Sequence, residues 1–158
     1  MPATIHRLHH HAPALPGSGR RGPRRRPVAR TTAGRGRAAL RRYLYSLSEL
    51  APEAPLSFLL VQVLPAGDAP LDHALHAVET MIRPTDRAAH YEEGQIGVVL
   101  QGAGAERASA MAALMAQGLL QPGVLPRHAS VLISPATGIG RNALALPAAA
   151  ASTFQECN

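Results

Sequence analysis

Arg83-Pro84-Thr85-Asp86-Arg87-Ala88-Ala89-His90-Tyr91-Glu92-Glu93-Gly94-Gln95-Ile96-Gly97-Val98-Val99-Leu100-Gln101 decides the fold of this chain. It reads as a turn and two short strands, Ala88 to Tyr91 and Gln95 to Gln101, joined through Glu92-Glu93-Gly94. The glycine supplies the positive φ that a tight hairpin needs. A hairpin is not stable alone, so the flanking sequence must supply its partners.

Upstream, Leu56-Ser57-Phe58-Leu59-Leu60-Val61-Gln62-Val63-Leu64 is nearly all apolar and bounded by prolines, as a central strand covered on both sides would be. Pro65-Ala66-Gly67-Asp68 stops it, and a helix follows from about Pro70 to Ile82 with Leu71, Leu75, Val78 and Ile82 in one stripe. Downstream, Gly102-Ala103-Gly104 leads into a helix over about Ala105 to Leu120, with Met111, Leu114, Met115 and Gly118 toward the core. Ala129 to Ile133 supplies the last strand. The order β-α-β-β-α-β predicts an α+β, ferredoxin-like domain, an antiparallel sheet with two helices on one face. The predicted organisation is a disordered tail over residues 1–38, a short helix and linker over 39–55, the domain itself over 56–135, and a C-terminal extension over 136–158, a short helix or disordered. Leu40, Tyr43, Leu44 and Leu47 at i, i+3, i+4, i+7 mark the short helix.

Composition agrees with one domain. The chain has 158 residues, 46% of them hydrophobic but only 3% aromatic, which calls for an aliphatic core. Eleven of the 16 basic residues lie between Arg7 and Arg42, and no acid precedes Glu49. From Tyr43 on, five basic residues face ten acidic ones, so the formal charge of that remainder is −5 although the whole chain is +6. The tail, with His9-His10-His11 and Arg20-Arg21-Gly22-Pro23-Arg24-Arg25-Arg26, lacks the apolar surface to offset its ordering entropy. It reads as a nucleic-acid or anionic-membrane arm, a metal-binding His cluster, a transit segment, or a solvated extension of the reading frame. No secretory signal and no membrane-spanning run is visible, so a cytoplasmic protein is expected. Cys157 stands alone and permits neither an intramolecular disulfide nor a cysteine zinc site.

The spacing of the central stretch resembles GGDEF domains, the diguanylate cyclases. Arg83-Pro84-Thr85-Asp86 matches the RxxD inhibitory site, five residues separate it from Glu92-Glu93-Gly94-Gln95-Ile96 at the signature position, and Gly67-Asp68 keeps the family's distance before Arg83. The resemblance covers roughly Leu56 to Ser134 and implies a truncated palm, since the helix that holds substrate after the first strand is missing. It also implies loss of catalysis. The signature is degenerate at Glu92, Glu93, Gly94, Gln95 and Ile96, and the metal-binding aspartates of the first strand fall near Gln62 and Leu64, which are poor ligands for Mg²⁺. No catalytic residue, metal or cofactor is therefore expected.

Arg83 and Asp86 keep chemistry suited to a nucleotide. A guanidinium is a rigid fork for phosphate or guanine O6/N7, and a carboxylate complements guanine N1–H and its amino group. The resemblance implies cyclic di-GMP as ligand, with Arg87 and Arg107 as candidate additional arginines. The structural alternative is a local Arg–Asp ion pair at a helix C-terminus with Asp as turn former, in a module that binds a protein partner. An RNA-recognition domain shares the topology but stacks bases on central-strand aromatics, which Gln95 to Gln101 lacks. His73 and His76 at i, i+3 read as exposed helix positions, and Ser130 and Ser134 near His128 lack the acid of a hydrolase triad. Gly138-Ile139-Gly140 fits no phosphate-binding fingerprint.

Overall fold

The computed structural model of the protein describes residues 28–156. The segment before Val28, with its His cluster and arginine run, and Cys157 lie outside the described residues. The elements are α1 (Val28–Leu50), β1 (Pro55–Leu64), α2 (Asp68–Met81), β2 (Arg87–His90), β3 (Gln95–Gln101), α3 (Ala105–Leu119), β4 (Ser130–Ile139), a 3-10 turn (Gly140–Ala145) and α4 (Leu146–Glu156). Helix and sheet are thus mixed, and the sheet is four-stranded and antiparallel throughout, in the order β2-β3-β1-β4.

β1 is the organising strand. Leu56 pairs with Gln101 of β3 and Gly138 of β4, and Gln62 pairs with Gln95 and Leu132, so β1 is bonded along both edges. Its side chains alternate between two cores, as a period of two requires. Leu59, Val61 and Val63 join Ile96, Val98 and Leu100 under α2 (Leu71, Ala74, Val78) and α3 (Ala108, Met115, Leu119). Leu56, Phe58 and Leu60 join Val99 under α1 (Leu40, Leu44, Leu47), Ala143 of the 3-10 turn and α4 (Leu146, Ala150). Each fully buried side chain of this size stabilises the fold by about 1.5–3 kcal/mol.

Three expectations are corrected. Residues 28–38, read as the end of a disordered tail, belong to α1, and the linker shrinks to residues 51–54. The sequence Arg30 to Arg37 has no apolar stripe because α1 docks here through absence of a side chain: a Cβ on Gly36 would collide with the carbonyl of His90 in β2. The boundary at residue 135 is likewise wrong. β4 continues to Ile139, and the following segment returns as α4, tied to the linker by Gly140 N–H to the Ala54 carbonyl (3.0 Å) and Arg141 N–H to the Pro52 carbonyl (2.8 Å). Ser134 Oγ donates to the Ala150 carbonyl at 2.7 Å, holding α4 on β4. On α3, Leu114 faces solvent rather than the core.

The outer edge of β4 carries Pro135, opposite Leu59. Proline has no N–H to offer, and its place on an edge strand blunts pairing with another chain.

Gly36→Ala separates two effects of opposite sign. In an undocked helix the change would stabilise by about 1 kcal/mol. Against the His90 carbonyl it is expected to destabilise by about 1–3 kcal/mol, read as a lower urea midpoint by far-ultraviolet circular dichroism.

Candidate functional site

The turn Arg83-Pro84-Thr85-Asp86 joins α2 to β2, where Pro84 ends the helical run. Asp86 closes it in both directions: its N–H donates to the Arg83 carbonyl (2.9 Å), and its Oδ2 accepts from the Arg83 N–H (3.0 Å). Its Oδ1 accepts from the backbone N–H of Gln101 at 3.0 Å, which pins the turn to the end of β3. The carboxylate is buried. A buried charge needs such partners, since two charge-assisted bonds replace its lost hydration.

The four candidate ligand residues therefore separate. Asp86 turns inward, and the arginine beside its carboxylate is Arg107 of α3, with Nη2 3.9 Å from Oδ2. That Nη2 is buried without a hydrogen-bond partner among the described residues. Arg83 meets Asp86 through its backbone only, and its side chain is exposed. Arg87 donates from Nη1 to the carbonyls of Pro84 (2.6 Å) and Asp86 (2.9 Å) and lies over the Tyr43 ring, 5.3 Å from its centroid. Arg83, Arg87, Glu79, Ile82, Pro84, Asp86 and Ala88 line an open depression of ≈ 350 Å³. Arg107 does not line it.

Sequence reasoning missed the part α1 plays here. The Tyr43 hydroxyl donates to the Thr85 carbonyl and lies 3.2 Å from Gln101 Oε1. Burial pushes the Tyr43 hydroxyl above its ordinary range, with the Arg87 guanidinium opposing and the Asp86 carboxylate reinforcing the rise. The only sequence signal for this contact was that Tyr43 shares the apolar face with Leu40, Leu44 and Leu47.

The second half of the stretch, Glu92 to Ile96, forms the hairpin tip. Gln95 N–H donates to the Glu92 carbonyl (3.0 Å), and Gly94 takes φ 71°. A Cβ at Gly94 would also press on Ala66 and the Gln62 amide. Glu92 accepts from Arg37 of α1 at 2.9 Å, an exposed pair. Gln62 donates to the Gly94 carbonyl (3.3 Å), and its Oε1 accepts from Gln95 Nε2 (2.8 Å), so two neutral amides bond across the space between β1 and the hairpin. Ile96 is buried in the core under α2 and α3.

The remaining candidates do not converge. His73 and His76 are exposed on α2, and among the described residues no three His, Cys, Asp or Glu side chains gather as a metal site. Burial likewise raises Tyr91, reinforced by the Glu92 charge and opposed by Arg37. No helix among the described residues is long and apolar enough to cross a membrane. No family model matches the chain, and no curated protein matches its sequence.

Asp86→Ala strips the acceptor from two backbone amides and is expected to cost about 2–6 kcal/mol, whereas Arg83→Ala should stay within about 0.5 kcal/mol; urea unfolding of both variants measures the contrast. Because folding raises the Tyr43 and Tyr91 values, the folded state holds those protons more firmly. Stability present below about pH 10 should fall as pH rises through the raised values, and Tyr43→Phe should flatten that alkaline loss in thermal melts.

Proposed function

We propose that the chain is a non-catalytic GGDEF-like regulatory domain that binds cyclic di-GMP at the turn Arg83–Asp86. The sheet order β2-β3-β1-β4, with α2 and α3 on one face, supports the ferredoxin-like palm that this reading requires. Its carrying observation is the exposed Arg83 side chain at the lip of an open depression, beside Arg87. The two guanidinium groups offer paired donors to a phosphate or to a guanine edge. Asp86 takes a different part from the one the resemblance implies. With both oxygens bonded to backbone amides, it sets the Arg83 backbone rather than accepting from guanine.

Loss of catalysis is supported at the hairpin: the resemblance would put metal-binding carboxylates near Gln62 and at Gly94, and Gln62 instead bonds the amide of Gln95 and the Gly94 carbonyl. Neutral amides give weak support to a hard divalent cation. The reading places the protein in the cytoplasm.

One observation favours a second reading, a ligand-independent interaction module. Both oxygens of the buried Asp86 carboxylate are engaged within the fold, as in a purely structural turn. RNA recognition on the sheet loses ground instead, because α1 and α4 cover the free face and bury Phe58.

Titration calorimetry with cyclic di-GMP on the full chain and on Arg83→Ala decides between the two. Saturable heat in the wild type, weakened at least tenfold in the variant, is the expected result. No heat at high micromolar ligand would leave the interaction module, and equal binding by both proteins would move the site away from Arg83.

A further inference from the structure

The solvent face of α1 carries an unmatched charge that the proposed nucleotide site does not use. Arg35, Arg41 and Arg42 are exposed, and none has an acidic partner within ion-pair distance among the described residues. Arg37, between them in sequence, is paired to a carboxylate, at Glu92. Counting around the helix, Leu40, Leu44 and Leu47 face the sheet, Arg35 and Arg42 stand one heptad apart on the opposite side, and Arg41 lies about 100° round from Arg42, on the flank of the same exposed surface. Most of the acids stand elsewhere: Asp68, Asp72 and Glu79 are exposed on α2, on the other side of the sheet, the 42 residues up to Arg42 contain eleven arginines and no acid, and the single acid of α1, Glu49, lies in its last turn, one heptad beyond Arg42.

We propose that the outer face of α1 is a docking surface for the phosphate backbone of duplex nucleic acid, bound without sequence preference. Charge complementarity selects a polyanion, and the stretch from Arg35 to Arg42 rises about 10 Å along the helix, a distance that covers neighbouring phosphates of a duplex. Arginine forks suit phosphate oxygens. An anionic membrane fits less well. A helix lying in a lipid interface must bury an apolar face, and the Leu40, Leu44 and Leu47 side of α1 is already spent on the sheet. A single strand fits less well too, because stacking needs a row of aromatics and the outer face of α1 has Tyr45 alone. The acidic α2 face turns away from the duplex and fixes which side of the domain approaches it.

Fluorescence anisotropy of a labelled 20-base-pair DNA duplex, titrated with the full chain at several salt concentrations, tests the proposal. The comparison protein carries Arg35→Ala, Arg41→Ala and Arg42→Ala together, with a second carrying lysine at the same three positions. The wild type should bind with a steep salt dependence. Loss of three phosphate contacts should reduce the slope of log K against log salt by about 2.7, and the lysine variant should retain most of it. All three positions are exposed, so circular dichroism should report the same fold. An unchanged slope in the alanine variant would assign binding to the arginine run before Val28 and overturn the proposal. Absence of binding at the lowest salt, or binding only to vesicles containing phosphatidylserine, would overturn it as well.

Discussion

A strand buried on both faces cannot be left with a layer on one side only, and β1 is such a strand. Phe58, Leu59, Leu60 and Val61 are wholly buried, pointing alternately to opposite cores. α2 and α3 satisfy one face from within the βαββαβ run. The other face is closed by the chain's two flanks, α1 from before β1 and α4 from after β4. These flanks are parts of the core rather than appendages, since removing α1 would bare Leu56, Phe58 and Leu60 to water.

The elements read from the sequence are those whose signal is local. The hairpin, β1, α2 and α3 each carry a period or a bounding turn in their own residues, and their ends shift by no more than a few positions. The first turns of α1 carry no such signal. Gly34 and Gly36 are poor helix formers, and the reason for glycine at 36 lies 54 residues away at the His90 carbonyl. The far half of β4 is obscured by Pro135, which argues against a central strand and is tolerated because β4 is an edge. α4 buries Leu146 and Ala150, too small a stripe to separate a packed helix from an alanine-rich tail.

The same division runs through the candidate site. The sequence marked Arg83 and Asp86 as one unit, and they are one, but through the backbone of Arg83 rather than its guanidinium. The other partners of the Asp86 carboxylate, Gln101 N–H and Arg107, lie beyond the hairpin, where spacing along the chain says nothing of them. Gln62 and Gln95 each read as a lost carboxylate, but only the register of β1 against β3 brings the two amides together.

α1 touches both halves of the motif, through Tyr43 at Thr85 and Arg37 at Glu92. The same helix carries Arg42 and Arg41 on its solvent-exposed surface, one and two residues before Tyr43. Turn, hairpin tip and basic face thus meet in one element, but contact alone does not make coupling. A ligand shifts an equilibrium only by its difference in affinity between two states. An anion held by Arg83 that leaves the Thr85 carbonyl bonded to Tyr43 favours neither position of α1, and the basic face stays as it was. Only a ligand that draws the turn away from Tyr43, or takes Arg87 from its ring, changes the energy of α1 docking. The exposed Arg37–Glu92 pair would resist little, because such pairs contribute about 0–1 kcal/mol. What holds α1 in place against that pull is the apolar contact of Leu40, Leu44 and Leu47 with β1 and β3, which sets the stability that any coupling between the two surfaces must overcome.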